Sequence, residues 1–231
     1  MGKARAIPQR RLIDVSHNLS MIPKRDWIHP KKLRTIWLAG RYTLMPASRL
    51  SALWDYAGEA SRLDGAFVEC GTYKGGSAAV LISRAGERDV WLFDSWEGCP
   101  EPSPYDVDKN GHRGNAGEFH SSEEDVVELL AKLGPFVARV HRVKGWFEET
   151  VPVSVGAIGP IALLHLDGDW YESTKACLNG LYSLLLPGGL LVIDDYGYWE
   201  GCRRAVDEFF VGSPNSVKRI DDTQVLHVKP T

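Results

Sequence analysis

The sequence predicts an α/β fold, a mostly parallel central sheet flanked by helices, and three observations predict it. From Ala66 onward, short apolar or β-branched runs alternate with longer helical stretches, the pattern of parallel strands joined by crossover helices. A Gly-rich turn follows the first of those runs and opens a helix. Two later runs, Leu164-His165-Leu166-Asp167-Gly168-Asp169 and Leu191-Val192-Ile193-Asp194-Asp195, end in paired carboxylates. The carboxyl ends of strands form the ligand crevice of an open α/β sheet, so the two pairs can converge there.

The elements follow in chain order. Residues 48–61 read as an amphipathic helix carrying Leu50, Leu53, Trp54 and Tyr56 on one side, packed on the sheet. The run 66–70 is the first strand, and 76–85 the helix after the Gly-rich turn. A second strand covers 90–94 and ends in Asp94. Residues 98–120, with Cys99-Pro100-Glu101-Pro102-Ser103-Pro104 at their start, show no periodicity; a loop of that length is expected to act as a lid or substrate loop. Ser121/Ser122, with Glu124 and Asp125 in the first turn, open a helix over 122–133. Strands at 137–143, 161–167 and 189–194 and helices at 173–185 and 202–211 complete the alternation, with Ser173-Thr174 read as a helix cap.

A chain of 231 residues with 44% hydrophobic and 25% charged residues can bury one continuous core. The expected organisation is an N-terminal arm and lid over 1–47 and a single domain over 48–231. The net charge of −3 argues against general nucleic-acid binding, although residues 1–35 carry nine Lys/Arg against only Asp14 and Asp26. That arm is either a solvated extension or oligomer contact, or a device for steering an acidic substrate. Cys70, Cys99, Cys177 and Cys202 show no C-x-x-C spacing and read as reduced thiols. With no signal-peptide core and no run near the ~20 apolar residues of a membrane span, a cytoplasmic protein without membrane partners is expected.

The Gly-rich turn is Glu69-Cys70-Gly71-Thr72-Tyr73-Lys74-Gly75-Gly76-Ser77, where glycines permit positive φ and close backbone approach to a nucleotide-like ligand. The dinucleotide fingerprint G-x-G-x-x-G has Tyr73 at its middle glycine, which disfavours an NAD dehydrogenase. Glu69, an acid at the end of the first strand, suits a cationic ligand better than a pyrophosphate. Asp94 lies 25 residues further on, where Rossmann-like sites place an acid for ribose hydroxyls. These features describe S-adenosylmethionine. The four acids Asp167, Asp169, Asp194 and Asp195 offer oxygen ligands to Mg²⁺ or a similar hard cation. On a continuing strand Asp167 and Asp169 share a face; Gly168 can instead bend the chain.

The chain resembles the macrocin O-methyltransferase family, metal-dependent sugar O-methyltransferases that finish macrolide and aminocoumarin antibiotics. The resemblance runs in order through Tyr42-Thr43 with Arg49, the Glu69-to-Ser77 turn, Phe93-Asp94-Ser95-Trp96-Glu97-Gly98 with Pro100, and Lys144-Gly145-Trp146-Phe147-Glu148-Glu149-Thr150. It continues through Leu166-Asp167-Gly168-Asp169-Trp170-Tyr171-Glu172-Ser173-Thr174, Leu186-Pro187-Gly188-Gly189 and Ile193-Asp194-Asp195-Tyr196-Gly197. It implies a Rossmann-like class I methyltransferase fold with an N-terminal lid, S-adenosylmethionine as methyl donor, and Mg²⁺ held by Asp167, Asp194 and Asp195. It implies Asp169 as general base beside Asp167, and cofactor contacts from Tyr42, Thr43, Glu69, Gly71, Thr72, Tyr73, Gly75, Ser77, Asp94, Ser95, Trp96, Gly145, Trp146 and Phe147. A small-molecule glycoside acceptor and a homo-oligomer are further expectations by resemblance. His165, where close relatives are expected to carry Arg, and a C-terminus without an aromatic ending are departures that bear on the acceptor.

Physically, a sugar alcohol is a poor nucleophile, so a cation on its oxygen and a carboxylate to take the proton suit methyl transfer. The long-loop residues His112 and His120 are alternative bases. A metal-dependent catechol or phenol O-methyltransferase, and a non-catalytic nucleotide-binding module of the same fold, are the competing readings.

Overall fold

The computed structural model describes residues 27–136, 138–213 and 216–231. The first 26 residues of the basic arm, and Val137 at the start of the expected third strand, therefore lie outside the described residues. The described elements are α1 (Pro30–Ala39), α2 (Ala47–Ala60), β1 (Ala66–Cys70), α3 (Gly76–Ala85), β2 (Asp89–Asp94), α4 (Glu123–Leu133), β3 (Arg139–Lys144) and α5 (Phe147–Ile158). They continue with β4 (Ile161–Leu166), α6 (Tyr171–Leu181), a 3₁₀ turn (Tyr182–Leu184), β5 (Leu185–Ile193), α7 (Glu200–Phe209), β6 (Lys218–Arg219) and β7 (Val225–Val228).

The strands form one sheet in the order β3-β2-β1-β4-β5-β7-β6. The first five run parallel, and β7 is antiparallel to both neighbours. Every residue of β1 and β4 is buried, as a parallel strand covered on both faces requires. Side chains alternate between the faces. Phe67, Leu163 and Leu190 enter the layer formed with α1 to α4. Val68, Leu164 and Leu191 enter the layer formed with α5 to α7. The carboxyl ends of β1, β4 and β5 consequently meet at the centre of one sheet edge.

Three basic residues of the arm, Lys31, Lys32 and Arg34, fall within the described chain, and all bind the body. Lys31 Nζ donates to the Ser83 carbonyl at 3.1 Å, Lys32 pairs with Asp55 at 2.8 Å, and Arg34 donates to the Leu133 carbonyl at 3.0 Å. They fasten α1 across α2, α3 and α4.

Several boundaries moved. Ser122 caps α4 as expected, in a reciprocal box with Asp125. Ser173-Thr174, by contrast, lie inside α6, whose first N–H, that of Tyr171, is taken by Asp106 Oδ1 at 2.8 Å. The cap therefore comes from the long loop. That loop is folded onto the body: Asp106 is buried, Asp108 bridges to Trp199, and the Arg204 guanidinium lies 3.8 Å over the Tyr105 ring. Among the described residues no helix is long and apolar enough to cross a membrane.

Candidate active site

The cofactor-type turn is built by geometry that only its sequence permits. Gly71 has φ +92°, and a Cβ there would lie 1.9 Å from the Asp167 carbonyl oxygen. The missing side chain lets β1 and the end of β4 approach, and Asp167 N–H donates to the Cys70 carbonyl at 2.8 Å. Gly71→Ala is expected to lose the folded site, with a melting temperature lowered by several degrees and no binding of S-adenosylhomocysteine in calorimetry. A Gly71→Ala protein that binds like wild type contradicts this packing.

Asp94, expected as a ribose ligand, holds the turn itself. Its Oδ2 accepts the N–H groups of Thr72 at 2.8 Å and Tyr73 at 2.7 Å, and its Oδ1 accepts that of Trp96 at 2.6 Å. Burial nevertheless raises its pKa, against those three bonds and with help from the Glu69 charge. Tyr73 and Trp96 take positive φ, 51° and 55°, which the Asp94 bonds stabilise.

At the adjacent strand ends Asp167, Asp194 and Asp195 each offer an oxygen, all within 4.8 Å of one another. Burial, then the neighbouring charges of Asp194 and Asp195, push Asp167 well above the usual carboxylate range. Burial and Asp194 push Asp195 up to about 6. Asp194 and Asp195 are buried and Asp167 half-buried, and their converging hard oxygen donors fit a divalent cation such as Mg²⁺.

Asp169 stands apart from that trio. It follows the end of β4 with φ +56°, so the chain bends at Gly168-Asp169 and the two acids do not continue a strand. Its Oδ1 accepts Trp199 Nε1–H at 2.9 Å, its backbone N–H donates to Asp195 Oδ2 at 3.2 Å, and the Cys99 thiol is 3.8 Å from Oδ2. Burial and the Asp195 charge raise its pKa well above the ordinary value.

A cavity of about 350 Å³ joins turn and acids. Of the residues singled out from the sequence, Thr43, Gly71, Thr72, Tyr73, Ser77, Asp94, Ser95, Gly145, Trp146 and Phe147 line it, together with Asp167, Asp169, Asp194 and Asp195. Tyr42, Glu69, Gly75 and Trp96 do not. Tyr42 turns outward, its hydroxyl donating to Glu128 and accepting from Lys132 Nζ. Glu69 is wholly buried and pairs with His165 Nδ1 at 2.9 Å, its register partner on β4, because a buried carboxylate needs a partner. Gly75 serves as the left-handed cap of α3. Trp96 packs into the core, with Nε1–H donated to the Tyr73 carbonyl. His112 and His120 also lie off the cavity; His112 pairs with Asp108.

The structure adds residues the sequence did not single out. Lys109 and Tyr198 line the cavity, with Lys109 Nζ 5.6 Å over the Tyr198 ring. Asp222 and Thr223 line it from a C-terminal turn, and the buried Thr223 hydroxyl has no partner among the described residues. No local motif announces Asp222 and Thr223; the antiparallel return of β7 brings them in.

The sheet order, the Gly-rich turn after β1 and the acid closing β2 define a class I S-adenosylmethionine-dependent methyltransferase fold. The chain belongs to the macrocin-O-methyltransferase family, whose model it matches over residues 20–229. It is 35% identical over 212 residues to 8-demethyl-8-(2,3-dimethoxy-alpha-L-rhamnosyl)-tetracenomycin-C 4'-O-methyltransferase of Streptomyces olivaceus, covering 85% of this chain and 79% of that one. It is 31% identical over 182 residues to mycinamicin III 3''-O-methyltransferase of Micromonospora griseorubida, covering 73% of this chain and 70% of the relative. Among solved structures, the O-methyltransferase NovP superposes with a TM-score of 0.69 at 27% identity, over 88% of this chain and 89% of that one. The chain is accordingly an O-methyltransferase, which sets aside the dehydrogenase and non-catalytic readings.

Proposed function

We propose that this enzyme methylates a sugar hydroxyl of a glycosylated natural product, using S-adenosylmethionine and a Mg²⁺ ion held by Asp167, Asp194 and Asp195. The observation that carries the reading is the division of the four acids: three converge within 4.8 Å, while Asp169 is held separately by Trp199. The relatives named for rhamnosyl-tetracenomycin and mycinamicin acceptors support the sugar as the substrate class.

When bound, Mg²⁺ would supply the Lewis acidity that makes an alkoxide accessible near neutral pH, and it would favour neighbouring hydroxyls that can chelate it. The remaining work falls to the chain. Trp199 fixes one oxygen of Asp169, which leaves Oδ2, facing only the weak Cys99 donor, to receive the acceptor's proton. Burial and the Asp195 charge raise the pKa of Asp169, the direction that makes a carboxylate a stronger base. Tyr73, Trp146 and Phe147 wall the cofactor side and suit a sulfonium by cation–π contact. Phe147 also abuts Gly168, within the same turn that carries Asp169. The substrate loop over 98–120 contributes Cys99, Pro100, Lys109 and Phe119 to the acceptor side. Methyl transfer from a sulfonium is an in-line displacement, so holding both reactants rigidly supplies much of the rate.

Asp169→Asn is expected to lower kcat by about 10²- to 10⁴-fold while leaving S-adenosylhomocysteine affinity and cation affinity at wild-type values. The check is a rate assay on rhamnosylated acceptors beside calorimetry on the same preparation. Full activity with the cation bound removes Asp169 as the base.

A further inference from the structure

The geometry points to a closed ring of hydrogen bonds through Arg49, Asp221 and Gln224 as the device that positions the Asp194 carboxylate for its cation. This rests on the reading of the acid trio as a Mg²⁺ centre. Arg49 sits in the first turn of α2 and donates Nη1–H to Asp194 Oδ2 at 2.9 Å. The same guanidinium donates Nε–H to Asp221 Oδ2 at 2.7 Å. Asp221 Oδ1 accepts the N–H groups of Thr223 and Gln224, each at 2.8 Å, and so shapes the C-terminal turn. Gln224 is wholly buried and closes the ring by donating Nε2–H to Asp194 Oδ1 at 2.9 Å. The turn is itself pressed against the acid loop: Gly197 N–H donates to the Thr223 carbonyl at 2.8 Å, and a Cβ on Gly197 would lie 2.0 Å from the Asp222 carbonyl oxygen.

Each oxygen of Asp194 therefore has one fixed donor and keeps a lone pair for a cation. Without such donors, a carboxylate packed beside two others is free to rotate out of the geometry that a cation needs. The ring opposes that rotation without filling the site with positive charge. Gln224 is neutral, and the charge of Arg49 is shared with Asp221, so the ring adds little net positive charge beside the acids. Arg49, Asp221 and Gln224 are positioning residues, acting through Asp194.

Two substitutions test this on the full-length protein loaded with S-adenosylhomocysteine, with Mn²⁺ as the paramagnetic probe and Mg²⁺ as its competitor. Gln224→Leu removes one donor at nearly constant volume. Asp221→Asn keeps an oxygen for the turn's N–H groups and removes the charge that balances Arg49. Each is expected to weaken Mn²⁺ binding, read by electron paramagnetic resonance, by roughly 10- to 100-fold, the usual cost of losing an outer partner of a metal ligand. Affinity for S-adenosylhomocysteine is expected to stay at the wild-type value and both variants to unfold cooperatively in EDTA, which a general loss of structure would not allow. Wild-type Mn²⁺ affinity in both folded variants overturns the ring alone. No Mn²⁺ binding by the wild-type protein overturns the metal centre and the ring with it.

Discussion

The double substitution Asp194→Asn/Asp195→Asn is expected to abolish cation binding and reduce methyl transfer to background, while binding of S-adenosylhomocysteine survives. The two functions separate because they rest on different strands: the acids close β5, whereas the turn that faces the cofactor follows β1 and is held from β2 by Asp94. Calorimetry with S-adenosylhomocysteine and with Mg²⁺, on the same protein, reads both. Loss of both ligands together would point to collapse of the cavity instead.

The same acids give the cation a pH dependence of definite sign. Asp195 is raised to about 6 by burial and by Asp194, above the value of about 3.9 for an unfolded aspartate. Between about pH 4 and about pH 6 the folded, cation-free protein binds the proton better than the unfolded chain does. Its contribution to stability is therefore present below that window and is lost as pH rises through it. A cation must displace that proton, so Mg²⁺ affinity is expected to fall as pH drops below about 6, with proton release on binding. Asp89 and Asp108, both lowered to about 2, titrate well below this window and leave it undisturbed. Thermal melts with and without Mg²⁺ across this range check the sign: the cation's stabilising effect grows with pH.

The second large effect is expected at Asp94. Its carboxylate accepts three backbone N–H groups, and a hydrogen bond to a charged group contributes about 1.5–3 kcal/mol. Asp94→Ala frees Thr72 and Tyr73 together, so the turn loses the shape that faces the cofactor. Affinity for S-adenosylhomocysteine is expected to fall roughly 100-fold or more, on the order of 3 kcal/mol. Affinity within about threefold of wild type, in a protein that melts normally, contradicts the role assigned to Asp94.

Much of the scaffold was legible because its signals are local. β1 and β4 are buried on both faces and read as largely apolar runs, and the acids at their ends mark the crevice. Helix α5 escaped the pattern: Thr150-Val151-Pro152-Val153-Ser154-Val155 alternates like a strand, and Pro152 breaks the expected helical period. β6 has two residues and gives no period, and β7 takes its meaning from antiparallel pairing with β5. Within the site, the Gly-rich turn and the four acids were visible as motifs. The pairing of Glu69 was not legible, because it depends on the register that sets His165 opposite it. Asp94 was legible as the acid closing β2, whereas its hold on the Thr72, Tyr73 and Trp96 amides was not, since those bonds depend on the folded turn. The bonds from Arg49 and Gln224 to Asp194 span 145 and 30 residues, and such contacts follow only from the folded chain.

Mass spectrometry decides whether a cation held by the strand-end acids controls methyl transfer to a sugar hydroxyl. The protein is incubated with S-adenosylmethionine and rhamnosylated polyketides, in Mg²⁺ or in EDTA, and each product is fragmented to locate the added methyl. The account predicts release of S-adenosylhomocysteine in Mg²⁺ only, matched by one methyl on the sugar fragment. Equal turnover in EDTA, or a methyl on the aglycone, contradicts it.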